Sequence, residues 1–173
     1  MQAMQTASGL PIHKRIRLRG FHYGGGCAYY LTICAFERRM LFGTCRHGVV
    51  SLNDVGSIVE NSWRDTATLH EGVVLDEFIV MPNHMHAIVH LPVSTEPQTL
   101  FRMVSGFKSS VTSTVRALRQ NQRCVVWQKR YRDRVIRSAA ELEHVRQYIR
   151  ANPARWCGLD VLSTAADCTQ LPM

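Results

Sequence analysis

Residues 78–91 form an apolar stretch broken once by the turn-forming pair Pro82-Asn83, and this pattern limits what the chain can become. A membrane span takes about 20 consecutive apolar residues, so the stretch is too short and must be buried in a protein core. Residues 73–80 and 84–91 are each of strand length and rich in Val, Ile and other apolar residues, with the break between them. Successive side chains of a strand point to opposite faces. His84 and His86 therefore share one face, while Met85 and Ala87 take the other. Two imidazoles so placed can reach one metal ion; on spacing alone, a lone pair of this kind is more often two polar residues at a strand end.

Periodicity extends the reading in both directions. Residues 27–36, rich in Tyr, Leu, Thr and Ile, read as a first strand after the Gly24-Gly25-Gly26 turn. Ser51 with Asp54 three residues on resembles a capping box, and Val55, Ile58, Val59 and Trp63 recur at helical spacing to about Leu69. Leu100, Met103, Val104, Phe107, Val111, Val115 and Leu118 follow the i, i+3, i+4 rule over five turns and predict a long helix. Residues 125–136 read as a fourth strand or extended arm. Ser138 and Glu141 form a second capping box, opening a helix that Pro153 is expected to close.

The order strand, helix, strand, strand, helix, strand matches the split β-α-β-β-α-β plan. The expected class is α+β: a ferredoxin-like antiparallel sheet with helices on one face, followed by an additional C-terminal helix that carries Tyr148. At 173 residues the chain is long enough for one well-packed domain. Residues 1–12 read as a loose leader and residues 157–173 as a tail. The six cysteines are scattered without a C-x-x-C pair, as expected of reduced thiols. With no membrane span and no signal-peptide pattern, the expected location is cytoplasmic.

The net charge of +8 is unevenly placed. Residues 1–100 carry eight Lys/Arg and eight Asp/Glu, whereas 101–173 carry thirteen and five, so the whole excess lies in the second part. Lys108 on the long helix, and Lys129, Arg130, Arg132, Arg134 and Arg137 around Trp127, offer positive charge interleaved with aromatic faces, a pattern suited to phosphate contact and base stacking. A solvated basic surface without a partner is the alternative. Tyr148 and Asn152 lie one helical turn apart, where a phenol and an amide oxygen can address the same ion. The same spacing also suits Tyr148 packing beside Val145 and Ile149 while Asn152 ends the helix.

Met81-Pro82-Asn83-His84-Met85-His86 resembles the signature of the HUH single-strand DNA transposases with one catalytic tyrosine, the IS200-like group. Trp127-Gln128, Tyr131-Arg132-Asp133, Ile136-Arg137 and Tyr148-Ile149 with Asn152-Pro153 resemble the C-terminal signature of their REP-associated branch. The resemblance implies a metal-dependent endonuclease and strand transferase for single-stranded DNA with hairpin or palindromic ends, working through a 5′-phosphotyrosine. It makes His84 and His86 the metal-binding pair for Mg²⁺ or Mn²⁺ and Tyr148 the nucleophile. Asn152 stands as third ligand where relatives often carry glutamine, and Arg15, Arg17 and Arg19 would reach the foot of a DNA hairpin. Tyr131 is the rival nucleophile. A homodimer is implied, with a monomer also compatible, and there is no membrane partner. Two other functions fit the residues: a nucleic-acid-binding protein of the same fold without catalysis, and a zinc hydrolase using His84, His86 and Glu77, although no H-E-x-x-H frame is present.

Overall fold

The computed structural model describes residues 27–92 and 98–159. The leader, the Gly24-Gly25-Gly26 turn, Arg15, Arg17 and Arg19 lie outside them. Among the described residues six strands and three α-helices follow in the order β1 Ala28–Cys34, β2 Gly43–Arg46, β3 Val49–Leu52, α1 Asp54–Leu69, β4 Val74–Met81, β5 His84–His90, α2 Thr99–Arg119, β6 Arg132–Ile136 and α3 Ala139–Leu159, with a short 3-10 turn at Phe36–Arg38. The main sheet has the order β4-β5-β1-β6 and is antiparallel throughout. That is the α+β plan expected from the element order.

Strand alternation divides the sheet into two chemically distinct faces. Tyr29, Leu31 and Ile33 of β1 and Met85, Ala87 and Val89 of β5 are buried on one face, against Val55, Val59 and Trp63 of α1 and Met103, Phe107 and Val111 of α2. Trp63 meets Phe107 edge-on with ring centres 5.1 Å apart. Each such side chain contributes about 1.5–3 kcal/mol when fully buried, so this face holds most of the apolar stabilisation. The opposite face presents Tyr30 and Ile88 to Val145 and Ile149 of α3. The added C-terminal helix thus covers the face that α1 and α2 leave open.

Three local expectations are corrected. Ser51 does not open α1; it lies in β3, part of a β2–β3 hairpin that the sequence reading passed over. Both residues of its two-residue turn have positive φ, His47 at 50° and Gly48 at 75°, as a hairpin turn of that length requires. The cap of α1 is Asn53, whose side-chain oxygen accepts from the Gly56 amide at 3.0 Å. The fourth strand is shorter than 125–136: the arm before β6 crosses the end of β1 through Phe36 N to Val126 O and Gln128 N to Cys34 O, and regular pairing begins only at Arg132.

The third correction concerns α3, which runs through Pro153 instead of ending there, so residue 157 is helical and not the start of a tail. Proline in a helix interior forfeits one backbone bond. Packing beyond it offsets the loss: the Cys45 thiol donates to the Pro153 carbonyl at 3.6 Å, and the Gly48 amide donates to Cys157 Sγ at 3.2 Å. The β2–β3 hairpin is what holds the last turns of α3. At the other end, Ser138 Oγ accepts from the Glu141 amide at 3.1 Å, as the capping box predicts.

Candidate metal and tyrosine site

His84 and His86 point from β5 toward α3, with their ring centres 4.6 Å apart. Their exposures are only 7% and 5%. Burial, followed by the nearby charge of Arg38, lowers the His84 pKa to about 4; burial, followed by His84, takes His86 well below its ordinary value. Both rings are neutral at neutral pH, the form in which imidazole binds metals. On each ring Nδ1 is occupied. His84 Nδ1 meets Asn83 Oδ1 at 2.7 Å, and His86 Nδ1 meets Tyr30 OH at 2.8 Å and Thr32 Oγ1 at 3.0 Å. Nε2 is therefore the nitrogen left on each ring to bind a ligand.

The ceiling of the site is one stripe of α3. Tyr148 stands edge-on to His86 at 5.5 Å, and Trp156 lies over His84 at 5.7 Å. Asn152, spaced four residues from each, falls between them and is 7% exposed. Tyr148 is half-buried. The Arg155 guanidinium lies 5.0 Å from its ring centre and Tyr30 meets its edge at 6.3 Å. His84, His86 and Tyr148 are thus brought to one place from two elements far apart in sequence, with Asn152 buried on the next turn of the same helix. The donor set suits a divalent cation: two neutral imidazoles with Nε2 available and a buried amide. Among the described residues no three His, Cys, Asp or Glu side chains cluster as a metal site. Glu77, the carboxylate needed by the zinc-hydrolase reading, is instead bound to Arg150 at 2.7 Å.

A bulge in β4 fixes α3 over the histidines. The pairing with β5 slips by one residue between Leu75 and Phe78, and both Asp76 and Glu77 reach α3. Arg146 donates to both oxygens of Asp76 at 3.0 and 2.7 Å, and His90 meets the same carboxylate at 2.7 Å. The Arg146 hydrogen bond, helped by that of His90 and opposed by burial, holds Asp76 well below the usual carboxylate range. These contacts tie down the turns on either side of Tyr148.

Among the described residues, the basic residues expected to meet DNA lie on both sides of the sheet. Arg132 pairs across β1 with Thr32, which pairs with His86, so all three share one cross-strand row on the histidine face. Arg134 is on that face too, bridged to Glu141 at 3.4 Å. Lys129, Arg130 and Arg137 are exposed around β6. Trp127 corrects the stacking expectation. It is 6% exposed and packs against Phe42 and Phe107, with ring centres 5.0 and 5.6 Å away, which leaves little of the ring open to a base. Lys108, on the α2 side of the sheet, is half-buried; its ammonium donates to the Gln128 and Lys129 carbonyls at 2.7 and 3.2 Å and holds the arm. Burial lowers its pKa. Tyr131 packs against the same core, across the sheet from the histidines.

Tyr30, Thr32, Asn83, Arg155 and Trp156 were not singled out as site residues from the sequence. Asn83 lies inside the histidine motif and Trp156 is two turns beyond Tyr148, but pairing register was needed to bring in Tyr30 and Thr32.

An antiparallel β4-β5-β1-β6 sheet with a histidine pair on one face and a tyrosine-bearing helix above it defines a narrow class. The fold is similar to that of a REP-associated tyrosine transposase solved bound to a REP hairpin, with a TM-score of 0.55 at 19% identity over 80% of this chain and 72% of that one. The chain belongs to the family described as IS200-like transposases, which matches residues 35–152. It is also 31% identical to an uncharacterised protein of Haemophilus influenzae, over 88% of this chain and 96% of that protein. No helix among the described residues is long and apolar enough to cross a membrane.

Proposed function

We propose that this IS200-like transposase is a metal-dependent single-strand DNA endonuclease and strand transferase with Tyr148 as its nucleophile. The observation that carries the reading is the Tyr148 ring 5.5 Å from that of His86, with Asn152 buried one turn further along the same helix. His84, His86 and Asn152 would hold Mg²⁺ or Mn²⁺, and such a cation supplies Lewis acidity to a scissile phosphate. Imidazole ligation favours Mn²⁺ over Mg²⁺, which prefers oxygen donors.

The chain's own groups account for the remaining steps. The Tyr148 oxygen attacks phosphorus in line, forming a 5′-phosphotyrosine and releasing a 3′-hydroxyl. The phosphodiester energy is kept in the new ester, so a 3′-hydroxyl can reverse the step and join strands without ATP. Arg155 lies 5.0 Å from the centre of the Tyr148 ring, and Arg132, in the His86 row, would take a flanking phosphate. The hairpin in the related structure makes hairpin-bearing single strands the substrate to try first.

Covalent trapping tests the proposal. Incubation with hairpin-tipped single strands and Mn²⁺ is expected to give a protein–DNA adduct that Tyr148→Phe abolishes. An adduct that survives in Tyr148→Phe and disappears in Tyr131→Phe would move the nucleophile. DNA binding without any adduct would favour the non-catalytic reading.

A further inference from the structure

His84 and His86 look equivalent in sequence, yet their surroundings differ. The Nδ1 atom of His86 faces two hydroxyls, Tyr30 OH and Thr32 Oγ1. A hydroxyl rotates and can donate or accept, so these two contacts by themselves impose no tautomer on that ring, which also bonds the Leu31 backbone. His84 faces an amide, and the orientation of that amide is determined. Asn83 Nδ2 donates to the Arg38 carbonyl at 3.2 Å, and a carbonyl has no proton to give in return. The nitrogen side of the amide must therefore face Arg38 and the oxygen side must face His84. At 2.7 Å from an oxygen that can only accept, His84 Nδ1 must carry the proton.

We infer that Asn83 is a positioning residue that holds His84 as the Nδ1–H tautomer, leaving the Nε2 lone pair ready for a divalent cation. The inference rests on the metal-site reading above and assigns a role to a residue that touches no ligand. The backbone around Asn83 supports it. Glu37 and Arg38 are consecutive non-glycine residues with φ of 51° and 55°, a left-handed conformation that costs free energy and persists only where the surroundings impose it. The turn they form is fixed to the β4–β5 turn by two backbone bonds, Ala35 N to Asn83 O at 2.8 Å and Phe42 N to Pro82 O at 3.0 Å. The left-handed turn thus presents the Arg38 carbonyl to Asn83, which in turn presents its oxygen to His84. Asn83 itself is 7% exposed, so water does not compete freely for either end of its amide.

Two variants separate this role from simple turn structure. Asn83→Asp keeps an acceptor for His84 and loses the donor to Arg38, whereas Asn83→Leu has a similar shape and loses both. Nitrogen-15 NMR of the metal-free protein at neutral pH reads the tautomer, and titration with Mn²⁺ reads affinity. The wild type and Asn83→Asp are expected to show a protonated Nδ1 and an unprotonated Nε2 at His84, and Asn83→Asp to bind Mn²⁺ at least as tightly as the wild type. Asn83→Leu is expected to lose the single tautomer and to bind about 10–100-fold more weakly.

An Nε2–H tautomer in the wild type would overturn the inference, as would Mn²⁺ binding by Asn83→Asp as weak as that of Asn83→Leu. The first two proteins decide the matter even if Asn83→Leu does not fold. Failure of the wild type to bind Mn²⁺, with the expected tautomer present, would instead refute the metal-site reading and with it the purpose assigned to Asn83.

Discussion

Acid should weaken the metal-free protein through His84 by an amount the structure sets. The folded pKa is about 4, lowered first by burial and then by Arg38, against about 6.5 for an unperturbed imidazole in the unfolded chain. Because the folded value is the lower one, the unfolded chain binds more protons between the two. Stability therefore falls as pH drops through about 6.5 and levels off below about 4. The whole interval corresponds to about 3 kcal/mol, of which roughly 2 kcal/mol is lost between about pH 7 and pH 5. His86 is displaced in the same direction, so the share belonging to His84 must be isolated by comparison with His84→Gln. Urea unfolding with chelator present, at both pH values, measures it. The stability difference between wild type and variant should move by about 2 kcal/mol in favour of the variant at the acid end. Parallel pH profiles for the two proteins would show that His84 does not titrate as a buried neutral ring, and the argument from its burial would fail.

Three further outcomes follow from the packing. Trp127→Ala should cost about 3–5 kcal/mol in urea unfolding, while Trp127→Phe should leave single-stranded DNA affinity unchanged; a tenfold loss in the latter would restore Trp127 as a stacking residue. Gly56→Ala should destabilise by roughly 1–3 kcal/mol or more, because a Cβ there would lie 2.0 Å from the Phe42 carbonyl oxygen; an unchanged urea midpoint would contradict that close approach. Asp76 is held below its ordinary range, so its bond to Arg146 is present at neutral pH and lost only as pH falls through the lowered value. Asp76→Asn should remove it at neutral pH and speed amide exchange in residues 144–150 while leaving α1 unchanged, and equal exchange in both proteins would mean that the bulge does not secure α3.

The sequence was legible wherever a local rule decided the outcome. The apolar spacing of Leu100 to Leu118 gave α2 to within a residue at each end, and alternation alone put His84 and His86 on the face opposite Met85 and Ala87. The i+4 spacing of Tyr148 and Asn152 placed them on one side of a helix. These rules depend on backbone geometry, which a few neighbouring residues are enough to set.

The features that failed were decided by distant contacts. The β2–β3 hairpin has two four-residue strands with mostly exposed or half-exposed side chains, so it leaves little hydrophobic pattern. Pro153 reads as a helix end until Cys45 and Gly48 are found against the turns that follow it. Trp127 reads as a stacking platform beside basic residues until Phe42 and Phe107 are found packed against it.

The chain order thus determined the succession of main-sheet strands and helices and the faces on which their side chains lie. Only the tertiary structure decided which helix stripe covers the histidines, which amide orients His84 and which aromatic ring is buried. Those outcomes depend on pairing register and on contacts between residues far apart in the chain, for which a single sequence carries no local signal.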